Sequence, residues 1–289
     1  MFIYITIDET IASNATLGGS GMGSIIGYAS SAGLVLTNSS YNSTLQISPE
    51  QNSWVSSVSN LGAVIGCPLT GFSLNYFGRK KTIIMASVAP TIGWILIISA
   101  QNFEMLLAGR IISGMYCGMI SIAANTYVGE IASPHIRGTL GTAFQLMNVI
   151  GILFGYSMGA AFDDFRWMAG LCAIPPILCS ILMFFNKETP LYLLSQGKEK
   201  EAEKSLRHFR GENYDGIDNE MYKLKIYLEE SQKNKARIRD LKKSYNLKPF
   251  SMSMGLFFFQ QFVGIGAVLF NMTLIFQENF SVQKLKIFA

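Results

Sequence analysis

The chain has 289 residues, of which 49% are hydrophobic and only 15% are charged, with a formal net charge of +4 at pH 7. Soluble domains carry about 25% charged residues, and most of the charge here lies between residues 187 and 248. This distribution excludes an ordinary soluble domain and predicts a polytopic protein of the lipid bilayer with one large hydrophilic segment. The basic residues cluster beside apolar segments, so the net positive charge does not indicate a nucleic-acid partner.

Seven segments are long and apolar enough to cross a bilayer as helices, for which about 20 residues are needed. The fold class is therefore predicted to be all-α, with small residues at four-residue spacing, such as Gly151, Gly155 and Gly159, allowing close helix packing. The first segment has the lowest apolar density, because it is rich in glycine and serine. The segments are Leu17–Thr37, Trp54–Leu74, Thr82–Ala100, Met105–Tyr127, Leu140–Phe162, Met168–Phe185 and Phe250–Phe276.

The basic residues predict the orientation of these helices. Arg79–Lys81, Arg137 and the 187–248 segment all lie in even-numbered connections, and the positive-inside rule makes that side, and the N-terminus, cytoplasmic. A seven-helix receptor would need the opposite orientation. The first external loop then contains the glycosylation sequons of Asn38 and Asn42.

Two adjacent glutamines, Gln260 and Gln261, lie in the last apolar segment. Uncharged amides at that depth are costly unless they face a polar cavity or another helix. Each amide offers an acceptor oxygen and two donor hydrogens, which suits a ligand made of hydroxyl groups. The pair therefore points to recognition of a small-molecule sugar inside the membrane.

Nothing else in the sequence indicates competing chemistry. The cysteines lie in apolar segments without metal-ligand spacing, and they are predicted to be small buried residues. There is no metalloprotease motif, nucleophile elbow or phosphate-binding glycine loop. We therefore expect no enzyme activity, no metal and no cofactor. The cysteines are Cys67, Cys117, Cys172 and Cys179.

Several motifs occur in order at the ends and middles of the predicted helices. They resemble the GxxxDRxGRR/K, YxxExxxxxxRG, PE(S/T)PRWL and QQxSGINAV signatures of the sugar porter branch of the major facilitator superfamily. Within that branch the chain is similar to insect facilitative trehalose transporters and to animal glucose facilitators. The matching segments are Gly71–Lys81 (GFSLNYFGRKK), Tyr127–Gly138 (YVGEIASPHIRG), Lys187–Leu194 (KETPLYLL) and Gln260–Val268 (QQFVGIGAV).

The resemblance implies the domain organisation of the major facilitator fold. Residues 1–186 would form a six-helix N-terminal bundle and residues 187–249 a cytoplasmic helical linker. Residues 250–280 would be the first helix of an incomplete C-terminal bundle, and residues 281–289 an unrelated tail. A truncated gene model or splice fragment would explain such an ending.

The resemblance also implies roles for individual side chains. Gln145 would join Gln260 and Gln261 in binding the sugar, although Gln145 could instead form only an interhelical hydrogen bond. Arg110 would be a structural residue near the outer end of the fourth membrane helix, or would simply extend to the interface.

A cytoplasmic ion-pair network is the second implied site. Arg79 and Arg137 would pair with Glu130 and Glu188, latching the cytoplasmic helix ends together. The alternative is that the basic residues only anchor the chain at the membrane surface.

The chain departs from the family pattern at both sites. Asn75 and Tyr76 replace an Asp-Arg pair in the loop, and Gly266, Phe270 and Asn271 replace an asparagine and two tyrosines in the seventh helix. Either the substrate differs from glucose or selection on the site has relaxed.

The first membrane helix carries Gly27-Tyr28-Ala29 in place of the GYD pattern of proton-coupled relatives. The resemblance therefore implies facilitative transport of a hexose or trehalose by alternating access, in the plasma membrane. The alternative is a non-transporting membrane fragment that at most associates with a full-length transporter.

Overall fold

A computed structural model describes residues 2–38, 45–133, 136–211, 214–233 and 244–287. Side chains are described from residue 14 to residue 276 within these ranges, apart from residue 232 and residues 244–246. Helices account for almost all of the described chain, and no strand occurs in these ranges, as the predicted all-α class requires. The helices are α1 (Phe2–Thr37), α2 (Pro49–Phe77), α3 (Arg79–Ala86), α4 (Val88–Ile98), α5 (Phe103–Ile131), α6 (Arg137–Ala161), α7 (Phe165–Cys172), α8 (Ile174–Phe185), α9 (Pro190–Ser195), α10 (Glu199–Arg210), α11 (Ile217–Lys233), α12 (Ser244–Phe262) and α13 (Ile265–Ile287).

Six helical segments of the described chain are long and apolar enough to cross a membrane, which matches six of the seven predicted segments. Helix α1 has the necessary length, but its glycine-rich composition keeps it outside this set, so its crossing stays a prediction. The six segments are Pro49–Phe77, Arg79–Ile98, Phe103–Ile131, Arg137–Ala161, Phe165–Phe185 and Leu247–Phe276.

Three of these segments are interrupted, which the hydropathy pattern did not predict. The first break, at Ser87, lies close before Pro90, and the second, at Ala173, lies close before Pro175. Proline lacks the N–H that would continue the helical hydrogen bonds. The third break, between α12 and α13, is at Gly264, whose φ of 75° favours glycine.

The core of the bundle is built from two closely packed helix pairs, α1 with α6 and α2 with α5. A Cβ atom at Gly151 would overlap the backbone carbonyl of Ser20, and one at Gly114 would overlap the carbonyl of Ser59. Only glycine permits this approach, so the prediction that the spaced small residues pack helices together is confirmed for these pairs.

The last membrane segment is placed differently from the rest. None of its described residues between 247 and 276 is buried, whereas a third to a half of an apolar 18-residue stretch is buried in each of the other five segments. Helix α13 packs on α1, where Ser30 Oγ lies 2.8 Å from Thr273 Oγ1, and Tyr156 of α6 donates to the Leu269 carbonyl at 2.8 Å. The helical bounds, 244 and 287, are wider than the predicted 250 and 280, because no glycine or proline interrupts residues 277–287.

The remaining predictions concern the glycosylation sequons and the cysteines. Asn42 lies outside the described residues, and Asn38 follows the end of α1. All four cysteines are free, and Cys172 and Cys179 are buried as predicted, but Cys67 is exposed. The prediction for Cys67 was wrong because this part of α2 borders an open cavity described below.

Candidate functional site

An ion pair joins the start of α3 to the end of α5. Arg79 Nη2 lies 2.7 Å from Glu130 Oε1, and Arg79 Nε donates to the same oxygen at 2.8 Å. The two side chains are only 17% and 12% exposed, so solvent screens them less than an ordinary surface pair, which contributes about 0–1 kcal/mol. The predicted pairing of Arg79 with Glu130 is therefore present. We call the end of the bundle that carries this pair the basic end.

Glu188 contributes to the basic end in a different way from the one predicted. Its carboxylate accepts hydrogen bonds at 3.0 Å from the backbone N–H groups of Arg79 and Lys80, the first residues of α3. A carboxylate at a helix N-terminus is favoured by the unpaired amides and by the helix dipole. Gly78 precedes them with a φ of 89°, and a Cβ at this position would press on the Glu188 carboxylate. Glu188 therefore caps a helix instead of forming a side-chain ion pair with an arginine.

The second oxygen of Glu130 is also occupied. Thr189 Oγ1 donates to Glu130 Oε2 at 2.6 Å, and Tyr127 donates to the backbone carbonyl of Lys187 at 2.8 Å. The segment that follows α8 is thus held against the end of α5 by two hydrogen bonds. Together with Arg79, these contacts connect α3, α5 and the start of the linker at one point.

Arg137 does not belong to this network in the part of the chain that the structure describes. It is exposed at the first position of α6, and its Nη2 donates at 3.5 Å to the carbonyl of Ala132 in the preceding turn. The predicted pairing of Arg137 with an acid was therefore wrong. At the start of α6 this side chain contacts the connection that precedes the helix.

A second ion pair, which the sequence reasoning missed, attaches the linker. Arg210 at the end of α10 forms two contacts with the Glu220 carboxylate of α11, at 2.7 and 3.1 Å, and donates to the Ile131 carbonyl of α5 at 2.8 Å. The sequence signal available for this ion pair was an arginine before the helix end at Gly211 and a glutamate after it. The linker is thus bound to the helix that carries Glu130.

Arg110 is fully buried, which excludes the alternative that it extends to the membrane interface. Its guanidinium donates to the carbonyls of Ile25 at 3.0 Å and Val55 at 3.2 Å, and to Ser59 Oγ at 3.4 Å. These acceptors belong to α1 and α2, so one side chain of α5 links three helices. These contacts join α1, α2 and α5, and the structural role of Arg110 stays a prediction.

An open cavity of about 190 Å³ lies between α1, α2 and α5, with Phe270 of α13 on its border. Its polar lining comes from Ser59, Asn60 and Ser121, none of which the sequence reasoning selected. Polar residues in the middle of apolar helices were the signal available for them. Hydroxyl and amide groups of this kind can hydrogen-bond a polyol.

The three glutamines predicted to bind substrate are not among the residues that line this cavity. Gln145 on α6 and both Gln260 and Gln261 on α12 are exposed. Within the described residues their amide groups make no hydrogen bond, so they are available to a ligand or to another helix. Their joint role in sugar binding stays a prediction.

Solved structures identify the class of protein. The chain superposes with a TM-score of 0.75 on the xylose transporter XylE from E. coli in a partially occluded inward-open conformation, at 24% identity, over 91% of this chain and 65% of that one. It superposes with a TM-score of 0.74 on the XylE proton:xylose symporter bound to 6-bromo-6-deoxy-D-glucose, at 25% identity. The fold is that of a multi-pass membrane transporter of the major facilitator superfamily.

Sequence comparisons identify the family. The family model described as sugar (and other) transporter matches residues 11–287. The facilitated trehalose transporter Tret1 of Bombyx mori is 37% identical over 265 residues, which cover 91% of this chain and 51% of the relative. Tret1 of Drosophila virilis is 35% identical, over 96% of this chain and 30% of the relative. The chain belongs to the sugar transporter family, and it spans about a third to a half of the length of these relatives.

Proposed function

We propose that this chain supplies the N-terminal bundle, the linker and the seventh membrane helix of a facilitative sugar transporter that works by alternating access. The observation that carries the proposal is the contact of Arg79, Glu130 and Thr189 at the basic end. Contacts of this kind close one end of a two-bundle transporter and separate when the bundles rock. Family membership supports a small sugar as the substrate class, and we propose a hexose or trehalose.

The proposed substrate path runs through the region between α1, α2, α5, α6 and α12–α13. Gln145, Gln260 and Gln261 present free amide groups from α6 and α12, and Asn60 presents another from α2. A sugar presents several hydroxyl groups that each require a partner when desolvated. The site is therefore proposed to be shared between the bundle and α12–α13.

Truncating the glutamine side chains should weaken sugar affinity. Gln145→Ala and Gln260→Ala are each expected to cost about 1–3 kcal/mol, the penalty for leaving a desolvated hydroxyl group unpaired. Equilibrium binding of radiolabelled sugar would measure this change. Gln51→Ala is a suitable control, because Gln51 lies at the start of α2 and caps that helix together with Ser48. Silent changes at both glutamines would remove them from the site.

The membrane orientation is also part of the proposal. We place the N-terminus and the basic end in the cytoplasm and the chain in the plasma membrane, because lysine and arginine predominate in the connections at that end. Epitope tags before Phe2 and after Gly211 should both require permeabilisation of the cell for antibody access. Labelling of either tag in intact cells would contradict this orientation.

Uptake tests the transport function. Residues 1–289 expressed alone are expected to show no sugar uptake above background, because alternating access requires two bundles around one site. Fusion to the second half of a related sugar porter should restore saturable uptake of glucose or trehalose. That uptake should persist in the presence of a protonophore, since the position of the acid in proton-coupled relatives is Ala29 here. A fusion that reaches the cell surface but transports neither sugar would count against the proposal.

A second candidate rests on the exposure of α12–α13. None of the residues 247–276 is buried. Helix α13 packs on α1, but α12 presents an exposed face with two amides to the membrane. Such a face favours association with another helical protein. The alternative function is thus a non-transporting chain that associates with a full-length relative, and co-purification with that relative from cells lacking the fusion would support it.

A further inference from the structure

A cavity of about 570 Å³ lies at the basic end, and Glu188 is among the residues that line it. It is enclosed by the end of α2, the first turn of α3, the segment after α8, and the helices α9 and α10. Ligand sites in proteins typically measure about 300–1,000 Å³. All of the described residues that line it come from the bundle and the linker.

The charge of the lining is strongly positive. Five lysines and two glutamates border the cavity, and both glutamates are already engaged. Glu188 caps α3, and Glu201 lies 3.5 Å from Lys198. Of the other four lysines, Lys80 and Lys187 donate to the backbone carbonyls of Phe184 and Lys204.

Two of these lysines are available to a ligand. The ammonium groups of Lys81 and Lys204 make no hydrogen bond or ion pair within the described residues, and both side chains are exposed. Both line the cavity, Lys81 from α3 and Lys204 from α10. An ammonium group is a compact point charge that binds phosphate oxygens through charge-assisted hydrogen bonds.

The cavity also lies at the depth where membrane helices end. Helix α2 ends at Phe77, which lines the cavity. Helix α8 ends at Phe185, and both phenylalanines are exposed. Phe184 and Tyr76 are 70% and 80% exposed at the same level. Exposed aromatic rings of this kind mark the boundary between hydrocarbon and headgroups.

We propose that this cavity binds a phosphate ester, presented by the headgroup of an anionic membrane lipid or by a soluble phosphorylated molecule. Basic pockets at the cytoplasmic ends of membrane helices suit anionic headgroups. The cavity is separate from the proposed sugar site. Its ligand would contact the same turn of α3 that Glu188 caps, so occupancy would strengthen the junction between α3 and the linker.

The test is direct binding to the purified chain of residues 1–289 in detergent micelles, measured by titration calorimetry. The probes are a short-chain phosphatidylinositol phosphate and the same inositol phosphate headgroup free in solution, with short-chain phosphatidylcholine as the neutral comparison. The double variant Lys81→Gln/Lys204→Gln should lower affinity for the phosphorylated probes about tenfold or more, as expected for two lysines close to a phosphate. The control is Lys223→Gln/Lys233→Gln, which removes the same charge from α11 outside the cavity.

The outcomes separate the possible ligands. Binding of the lipid and not of the free headgroup would assign the site to a membrane lipid, and binding of both with similar affinity would assign it to phosphate in solution. Equal losses in the two double variants would show that only net charge matters and would overturn the proposal. Equal affinity for phosphatidylcholine would overturn it as well.

Discussion

Replacing Gly151 with alanine is expected to lower the free energy of unfolding of the bundle by about 3 kcal/mol, the upper range for overpacking a close contact. The added methyl group would overlap the Ser20 carbonyl, and its neighbours there are backbone atoms, which cannot rotate away. The α1–α6 pair would have to separate along much of its length. Thermal or denaturant unfolding of residues 1–289 in detergent would measure the loss.

The matched control is Gly141→Ala, ten residues earlier on the same helix. A Cβ at Gly141 meets no atom within 4 Å, so this change should be neutral or should stabilise α6 by up to about 1 kcal/mol through helix propensity. If the two substitutions have the same effect on stability, Gly151 is not required for the close approach of α1 and α6.

Neutralising either partner of the Arg79–Glu130 pair is expected to slow sugar turnover about tenfold and to leave sugar affinity nearly unchanged. The pair is largely shielded, so removing one charge strands the other, and a tenfold change corresponds to about 1.4 kcal/mol. Arg79→Gln and Glu130→Gln would be tested in the fusion with the second half of a related transporter. The uptake rate measures turnover, and equilibrium sugar binding measures affinity.

Two further variants make this expectation specific. The double variant Arg79→Gln/Glu130→Gln should be less impaired than the sum of the single variants, because contacting residues are energetically coupled. Arg137→Gln should change turnover little, since within the described residues Arg137 donates to the turn before α6 and pairs with no acid. A strong effect at Arg137 with none at Arg79 would restore the network that the sequence alone suggested and would exclude the one described here.

The location of the basic-end contacts was predictable because it depends on charge. A lone glutamate at the end of an apolar helix requires a partner, and Arg79 begins the neighbouring helix. The identity of each acceptor was not predictable. Glu188 bonds to backbone amides, and the sequence does not display which amides lie unpaired at a helix start. The error at Arg137 has the same origin, because a side chain at a helix start points according to the turn before it.

The interior of the fold was likewise only partly predictable from the sequence. Hydropathy located six membrane segments but not the break at Gly264, since the break depends on a backbone angle and not on apolarity. Glycine spacing correctly indicated close packing of α1 with α6. The burial of Arg110 could not be read from side-chain types, because two of its three acceptors are main-chain carbonyls. The polar lining of the cavity at Asn60 depends on the rotation of α2, which weak amphipathicity leaves undetermined.

The link made by Arg110 has a consequence for biosynthesis. A charged side chain within a membrane helix is costly to insert, and chains fold from the N-terminus as they are made. The three acceptors of Arg110, at Ile25, Val55 and Ser59, all precede it in the chain. The acceptors on α1 and α2 are therefore synthesised before the guanidinium enters the bilayer. Arg110 can form its hydrogen bonds as α5 inserts.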